Sequence, residues 1–122
     1  MPALLHAYKI GKRVGAVGFE WATTADVMAK VEEEVAELRE TLEKEPDNAA
    51  RAEEEMGDLF FAIANLSRRL GIEPETALRK ANAKFTKRFN QLEENFTAAG
   101  RSLDAATLED MDAEWNRIKA RE

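Results

Sequence analysis

The sequence predicts an all-α fold, a helical bundle of four to five helices completed as a homodimer. Three observations predict it. Apolar residues recur at three- and four-residue spacings along stretches of several turns. Pro46, Gly71, Pro74 and Gly100 stand between those stretches. No run alternates β-branched residues in the manner of a strand.

Residues 3–14 read as a short helix carrying Leu4, Leu5 and Tyr8. The first well-marked helix covers 25–44, with Thr24 or Asp26 placed to cap the free N–H groups of its first turn and Val27, Val31, Val35, Leu38 and Leu42 as its apolar stripe. A second covers 49–70, with Ala52, Met56, Leu59, Ile63, Leu66 and Leu70 in line and Gly71 as its stop. Pro74 suits a first helical position and opens a third, whose stripe of Leu78, Ala81, Phe85, Phe89, Leu92 and Phe96 runs to Gly100. A shorter helix over 107–120 sets Leu108, Met111, Trp115 and Ile118 on one face. The stripes are narrow and close to heptad spacing. They fit ordinary helix packing, and they also fit a bundle that a second copy completes.

The 122 residues fit a single domain over 1–122, and 44% hydrophobic content is enough to build a core. Absence of cysteine excludes a disulfide scaffold and a thiolate metal site, and the lone His6 leaves little material for zinc or a Ser/His/Asp triad. Eighteen basic against 24 acidic side chains give a net charge of −6, which argues against nucleic acid and anionic membrane as partners. No apolar run reaches the roughly 18–20 residues of a membrane span, and the first residues lack the pattern of a secretory signal. A soluble cytoplasmic protein is expected.

The chemistry concentrates in two acidic clusters, 32–37 and 53–58. Each holds a carboxylate pair at i, i+3, Glu34 with Glu37 and Glu55 with Asp58. At roughly 100° per residue, Glu34 and Glu37 fall about 60° and 120° to one side of Val31, and Glu55 and Asp58 about 40° and 100° to one side of Leu59. Both pairs thus flank a seam, and antiparallel packing would converge four carboxylates. Such a group is tolerable if protonated, paired with bases, or holding cations. All-oxygen ligation without histidine favours Mg²⁺, with Mn²⁺ as a substitute. Glu32, Glu33, Glu53 and Glu54 read as solvated face. Gly57, inside the second pair, would permit close helix approach beside the site.

Lys84 and Arg88 flank the Phe85/Phe89 seam at i, i+4, with Asn82 on the same helix. They suit a metal-bound polyphosphate and equally a solvated basic face. Trp115 and Lys119 repeat the spacing. An indole there can stack on a base or pack in the core with Leu108, Met111 and Ile118.

Glu33-Glu34-Val35-Ala36-Glu37 followed by Glu55-Met56-Gly57-Asp58 resembles the E-E-x-x-E … E-x-x-D signature of the all-α nucleoside triphosphate pyrophosphohydrolases. The wider chain resembles the C-terminal catalytic domain of MazG. Val17 to Trp21, Glu54 to Leu59, Lys80 to Phe85 with Arg88 and Phe89, and Met111-Asp112 with Trp115 and Lys119 carry that likeness in order. The resemblance implies a homodimeric, Mg²⁺-dependent enzyme that cuts NTP or dNTP to the monophosphate and pyrophosphate in nucleotide-pool house-cleaning. It assigns Glu34, Glu37, Glu55 and Asp58 to the metal, and Glu33 to an outer-shell or additional ligand or to orienting water. It assigns Asn82, Lys84, Arg88 and Lys119 to the substrate, with Lys84 and Arg88 also stabilising the leaving group, and Trp115 to the nucleotide pocket. Glu20 stands where the family usually has Asp, and Gly11 where Gln is common. MazG proteins often hold two such domains and this chain holds one, as a natural single-domain relative or an excised C-terminal half; Met1-Pro2-Ala3-Leu4 reads like an inter-domain sequence, which favours excision slightly. The alternatives are a narrower relative, of dUTPase-like or phosphoribosyl-ATP type, and a non-catalytic helical interaction module.

Overall fold

The computed structural model describes residues 1–122, which form five α-helices, one 3-10 turn and no strand. Helix α1 spans Ala3–Ala16, α2 Thr24–Lys44, α3 Ala49–Arg69, α4 Pro74–Ala98 and α5 Leu108–Ala120, with the 3-10 turn at Leu103–Ala105. The residues divide into two compact units, Met1–Ala77 and Leu78–Glu122.

Local chemistry sets the helix ends. Thr23, and not Thr24 or Asp26, caps α2. Its Oγ1 accepts from the Asp26 N–H at 3.1 Å, while Asp26 Oδ2 accepts from the Thr23 N–H at 3.3 Å. This reciprocal box satisfies two first-turn donors and makes Thr24 the first helical residue. Asn48 and Thr107 cap α3 and α5 by accepting from the N–H groups of Arg51 and Asp110. Gly71 and Gly100 end α3 and α4 at φ +73° and +71°, a left-handed conformation that glycine adopts without a Cβ penalty. In each case the following N–H reaches back to the last turn, Ile72 to the Ser67 carbonyl and Arg101 to the Phe96 carbonyl, both at 2.9 Å. Helix α1 continues to Ala16, two residues beyond the predicted end.

In the first unit α3 lies between its neighbours, packing on both α1 and α2. Only residues 45–48 join α2 to α3, so the pair forms an antiparallel hairpin. The seam keeps part of the stripe the sequence predicts, Val27, Val31, Leu38, Ala52, Leu59 and Leu66, and replaces the rest. On α2 the buried or half-buried line is Val27, Val31, Glu34, Leu38 and Thr41, and on α3 it is Ala52, Glu55, Leu59, Ala62 and Leu66. Val35, Leu42, Met56, Ile63 and Leu70, expected inside, are exposed in the single chain. Periodicity identifies the apolar side of a helix, not which of two adjacent lines meets the neighbour. Each helix carries both lines, and the outward one is left uncovered.

The second unit has its own small core. Leu92, Phe96 and Ile118 are buried, with Leu103, Ala106 and Met111 packed against them. Asn95 Nδ2 donates to Glu114 Oε1 at 2.7 Å, tying α4 to α5. The Arg101 guanidinium lies 4.9 Å from the Phe96 ring centroid and pairs with Asp110 at 2.7 Å. The earlier half of the α4 stripe, Leu78, Phe85 and Phe89, is exposed.

Gly57 also departs from expectation. A Cβ built on it meets nothing within 4 Å, so no close approach within this chain requires glycine there. Gly57→Ala is expected to raise the unfolding free energy of the isolated chain by about 1 kcal/mol through helix propensity. Urea denaturation at dilute concentration checks this. A loss of stability instead would mean that another surface presses on position 57.

Candidate functional site

Helices α2 and α3 bring the first three carboxylates together. Glu34 and Glu55 are buried, at 7% and 5% relative exposure, because they occupy the seam itself. Glu37, one turn beyond Glu34, is exposed. One oxygen from each of the three lies within 4.8 Å of the others. Two cations partly balance this charge. Lys30 Nζ is 3.2 Å from Glu34 Oε1 and 3.5 Å from Glu33, and Arg51 Nε donates to Glu55 Oε1 at 3.1 Å. The second oxygens, Glu34 Oε2 and Glu55 Oε2, are buried without any partner.

An unpartnered buried carboxylate oxygen costs more than an ordinary lost hydrogen bond. Two such oxygens, on two residues of one acidic cluster, suit a group that accepts electron pairs. A hard divalent cation does so, since it takes several carboxylate oxygens at once. The electrostatics agree. The Glu34 charge, then desolvation and the Glu55 charge, push the Glu37 carboxyl above its ordinary value. The Lys30 ammonium is held above its ordinary value, chiefly by its hydrogen bond to Glu34.

Asp58, the fourth expected ligand, lies outside this group of three and lines an adjoining cavity together with Glu34 and Lys30. Glu33 is exposed and lies 3.5 Å from the Lys30 ammonium. Sequence reasoning missed Lys30 and Arg51. The available signal was their position four residues before Glu34 and Glu55, on the same helix face.

The cavity has a volume of about 440 Å³ and lies in the first unit between α1, α2, α3 and the segment 18–21. Phe19, Trp21, Phe61 and Val14 make its wall largely apolar, and Asn65 contributes an amide. Two arginines of α3 hold the 18–21 segment. Arg68 Nη2 donates to Glu20 Oε2 at 2.5 Å, and Arg69 Nη1 donates to the Trp21 carbonyl at 2.8 Å and lies 3.3 Å from Glu20 Oε1. This latch was not legible beforehand, because 48 residues separate its partners.

The remaining predicted residues belong to the second unit. Arg88 donates through Nε and Nη2 to both oxygens of Glu122, at 2.7 and 2.8 Å. The half-buried Trp115 has its ring centroid 5.0 Å from that of Phe85 at a 45° tilt, so it leans on an exposed aromatic and not on the Leu92–Phe96–Ile118 core. Asn82, Lys84 and Lys119 are exposed.

Comparison with known proteins bears on this geometry. Residues 22–92 match the MazG nucleotide pyrophosphohydrolase domain family. The chain is 43% identical over 122 residues to the nucleoside triphosphate pyrophosphohydrolase of Escherichia coli K12, covering all of this chain and 46% of that protein. It is 43% identical over 119 residues to the nucleoside triphosphate pyrophosphohydrolase/pyrophosphatase MazG of Thermotoga maritima, covering 98% of this chain and 45% of that one. A Bacillus subtilis protein, YabN, matches at 46% over 68 residues, 56% of this chain and 14% of its own length. The chain therefore spans about half the length of the first two relatives.

Divalent cation should stabilise the first unit by relieving the two orphan oxygens. At a Mg²⁺ concentration 100 times the dissociation constant, the expected gain is about 2.7 kcal/mol. Glu55→Gln should abolish most of that gain while leaving helix content intact. Thermal melts with Mg²⁺ and with chelator check it, and an equal Mg²⁺ effect in the variant would contradict the assignment.

Proposed function

The chain belongs to the MazG nucleotide pyrophosphohydrolase domain family, and from that membership we propose that it hydrolyses nucleoside triphosphates to the monophosphate and pyrophosphate. The observation that carries the reading is the convergence of Glu34, Glu37 and Glu55 with two buried oxygens unpartnered. Glu34, Glu37 and Glu55 would hold Mg²⁺, or Mn²⁺ in its place, with Asp58 as the further carboxylate on the cavity side. The metal supplies charge neutralisation on the phosphates and a more acidic bound water.

The chain's own residues do the rest. Glu33, exposed at the edge of the cluster, orients water and accepts its proton. Lys30 keeps one positive charge beside the cluster, which limits repulsion of an incoming polyanion. Lys84, Arg88 and Lys119 are proposed as phosphate ligands that stabilise the leaving pyrophosphate. Asn82 is proposed as a further substrate contact and Trp115 as part of the nucleotide pocket. For Arg88 this requires exchanging the Glu122 carboxylate for phosphate oxygens, a replacement of one bidentate anion by another.

We also read the chain as a homodimer. The uncovered lines of α2 and α3, with Val35, Leu42, Met56, Ile63 and Leu70 exposed, support this. Exposed apolar residues recurring along one line of each helix suit an interaction face. Light scattering is expected to return twice the 13.7 kDa chain mass, and a 13.7 kDa particle at micromolar concentration would rule the dimer out.

Product identity tests the activity. With Mg²⁺ and an NTP panel, the expected products are monophosphate and pyrophosphate in equal amounts. Orthophosphate with diphosphate would refute the assigned bond, and no turnover with Mg²⁺ or Mn²⁺ would favour the interaction module.

A further inference from the structure

The cavity beside the carboxylates has an oriented amide in its wall. Arg68 Nε donates to Asn65 Oδ1 at 3.0 Å. A guanidinium N–H is only a donor, so it must face the amide oxygen, and this fixes which way the Asn65 amide points. The Nδ2 donors are then what Asn65 can offer to the cavity it lines.

Arg68 is itself held. It spans from Asn65 to Glu20, and its side chain is 14% exposed. A Cβ at Gly11 would stand 2.8 Å from Arg68 Nε and 3.1 Å from Asn65 Oδ1, so the bare glycine makes room for this arrangement. Turning the amide over would set two donors against each other and leave the guanidinium short of an acceptor. Glu20, the carboxylate Arg68 pairs with, has both oxygens engaged by the two arginines, and its Oε1 also accepts from the Trp21 N–H at 3.0 Å.

We propose that this cavity takes the nucleobase, and that Asn65 favours a keto over an amino group on the edge of the base it meets. The inference rests on the nucleotide reading above. The apolar walls, Phe19, Trp21 and Phe61 among them, suit a flat ring, and the volume suffices for a base. Glu34 and Asp58 line the same cavity, so it adjoins the carboxylates proposed to hold the metal. A keto oxygen accepts from Nδ2. An exocyclic amine at the same place meets a donor and leaves both groups unpaired.

Matched pairs test this, because uracil and cytosine, and hypoxanthine and adenine, differ by a keto-to-amino exchange. The full chain with Mg²⁺ should show kcat/KM higher for dUTP than dCTP and for ITP than ATP, on the order of two- to tenfold, the worth of one net hydrogen bond. Binding of UMP, CMP, IMP and AMP in chelator should show the same order without requiring hydrolysis. Asn65→Asp retains an acceptor for Arg68 and replaces the donor by an acceptor, so the preference should reverse. Asn65→Ser offers a hydroxyl that both donates and accepts, and should erase it. Keto-selective binding without turnover would sink the hydrolytic reading and leave the pocket standing. Turnover with equal rates within both pairs, or an unchanged preference in Asn65→Asp, would overturn the pocket assignment and leave the hydrolytic reading standing.

Discussion

Glu34 and Glu55 leave water on folding and each recovers only one of its two oxygens. Lys30 and Arg51 supply the partners, each from four residues earlier on the same helix. Carboxylate N-terminal to cation is the better order for helix stability, and both pairs have the reverse, so helix propensity does not explain them. Burying a carboxylate costs several kcal/mol even after relaxation. The seam tolerates two because the rest of the hairpin is strongly specified: a capping box on α2, an asparagine cap on α3, a left-handed stop at Gly71, and Val27, Val31 and Ala62 buried along the same line. The seam is thus both the scaffold and the site, and the acidic cluster cannot drift without unpacking the helices that hold it.

That double use has a consequence for the outer surface. With Glu34 and Glu55 in the inner line, part of the apolar material of α2 and α3 must lie in the adjacent line, where Val35, Met56 and Ile63 face outward. Gly57, with open space above it, lies on the same helix beside Met56. An all-apolar inner seam would leave less for the outside. The proposed homodimer and the buried carboxylates are two expressions of one sequence constraint, a helix asked to present acid inward and hydrocarbon on its flank.

Much of this was legible in the sequence. The helices are where periodicity and punctuation place them, since capping residues, Gly71, Pro74 and Gly100 act locally and need no tertiary information. The acidic pairs were legible as candidates because i, i+3 spacing fixes a shared face. The rotation of the seam was not legible, as it depends on which line of α2 meets α3: Glu34, Thr41, Glu55 and Ala62 are inside where their neighbours Val35, Leu42, Met56 and Ile63 were expected. Asp58 illustrates the limit. Spacing puts it on one face with Glu55, yet the three-carboxylate group forms without it. Lys30 and Arg51 were readable from spacing alone, but among many charges nothing singled them out until burial of their partners was known.

Two residues that depart from the family pattern meet at a third. Gly11 stands where glutamine is common and Glu20 where aspartate is usual, and Arg68 lies against both. A side chain at position 11 would occupy the space through which Arg68 passes, with its Cβ 2.8 Å from Nε. Glutamate is one methylene longer than aspartate, and here its carboxylate reaches both arginines while Arg69 holds the next carbonyl. The bare glycine at position 11 leaves room for Arg68, and the Glu20 carboxylate engages it. Because that same guanidinium fixes the Asn65 amide, the substitutions act on the face of the cavity while the carboxylate cluster stays as the seam dictates. In the proposed base pocket, α1 and the 18–21 segment therefore act on Asn65 through Arg68, apart from the residues proposed to hold the metal.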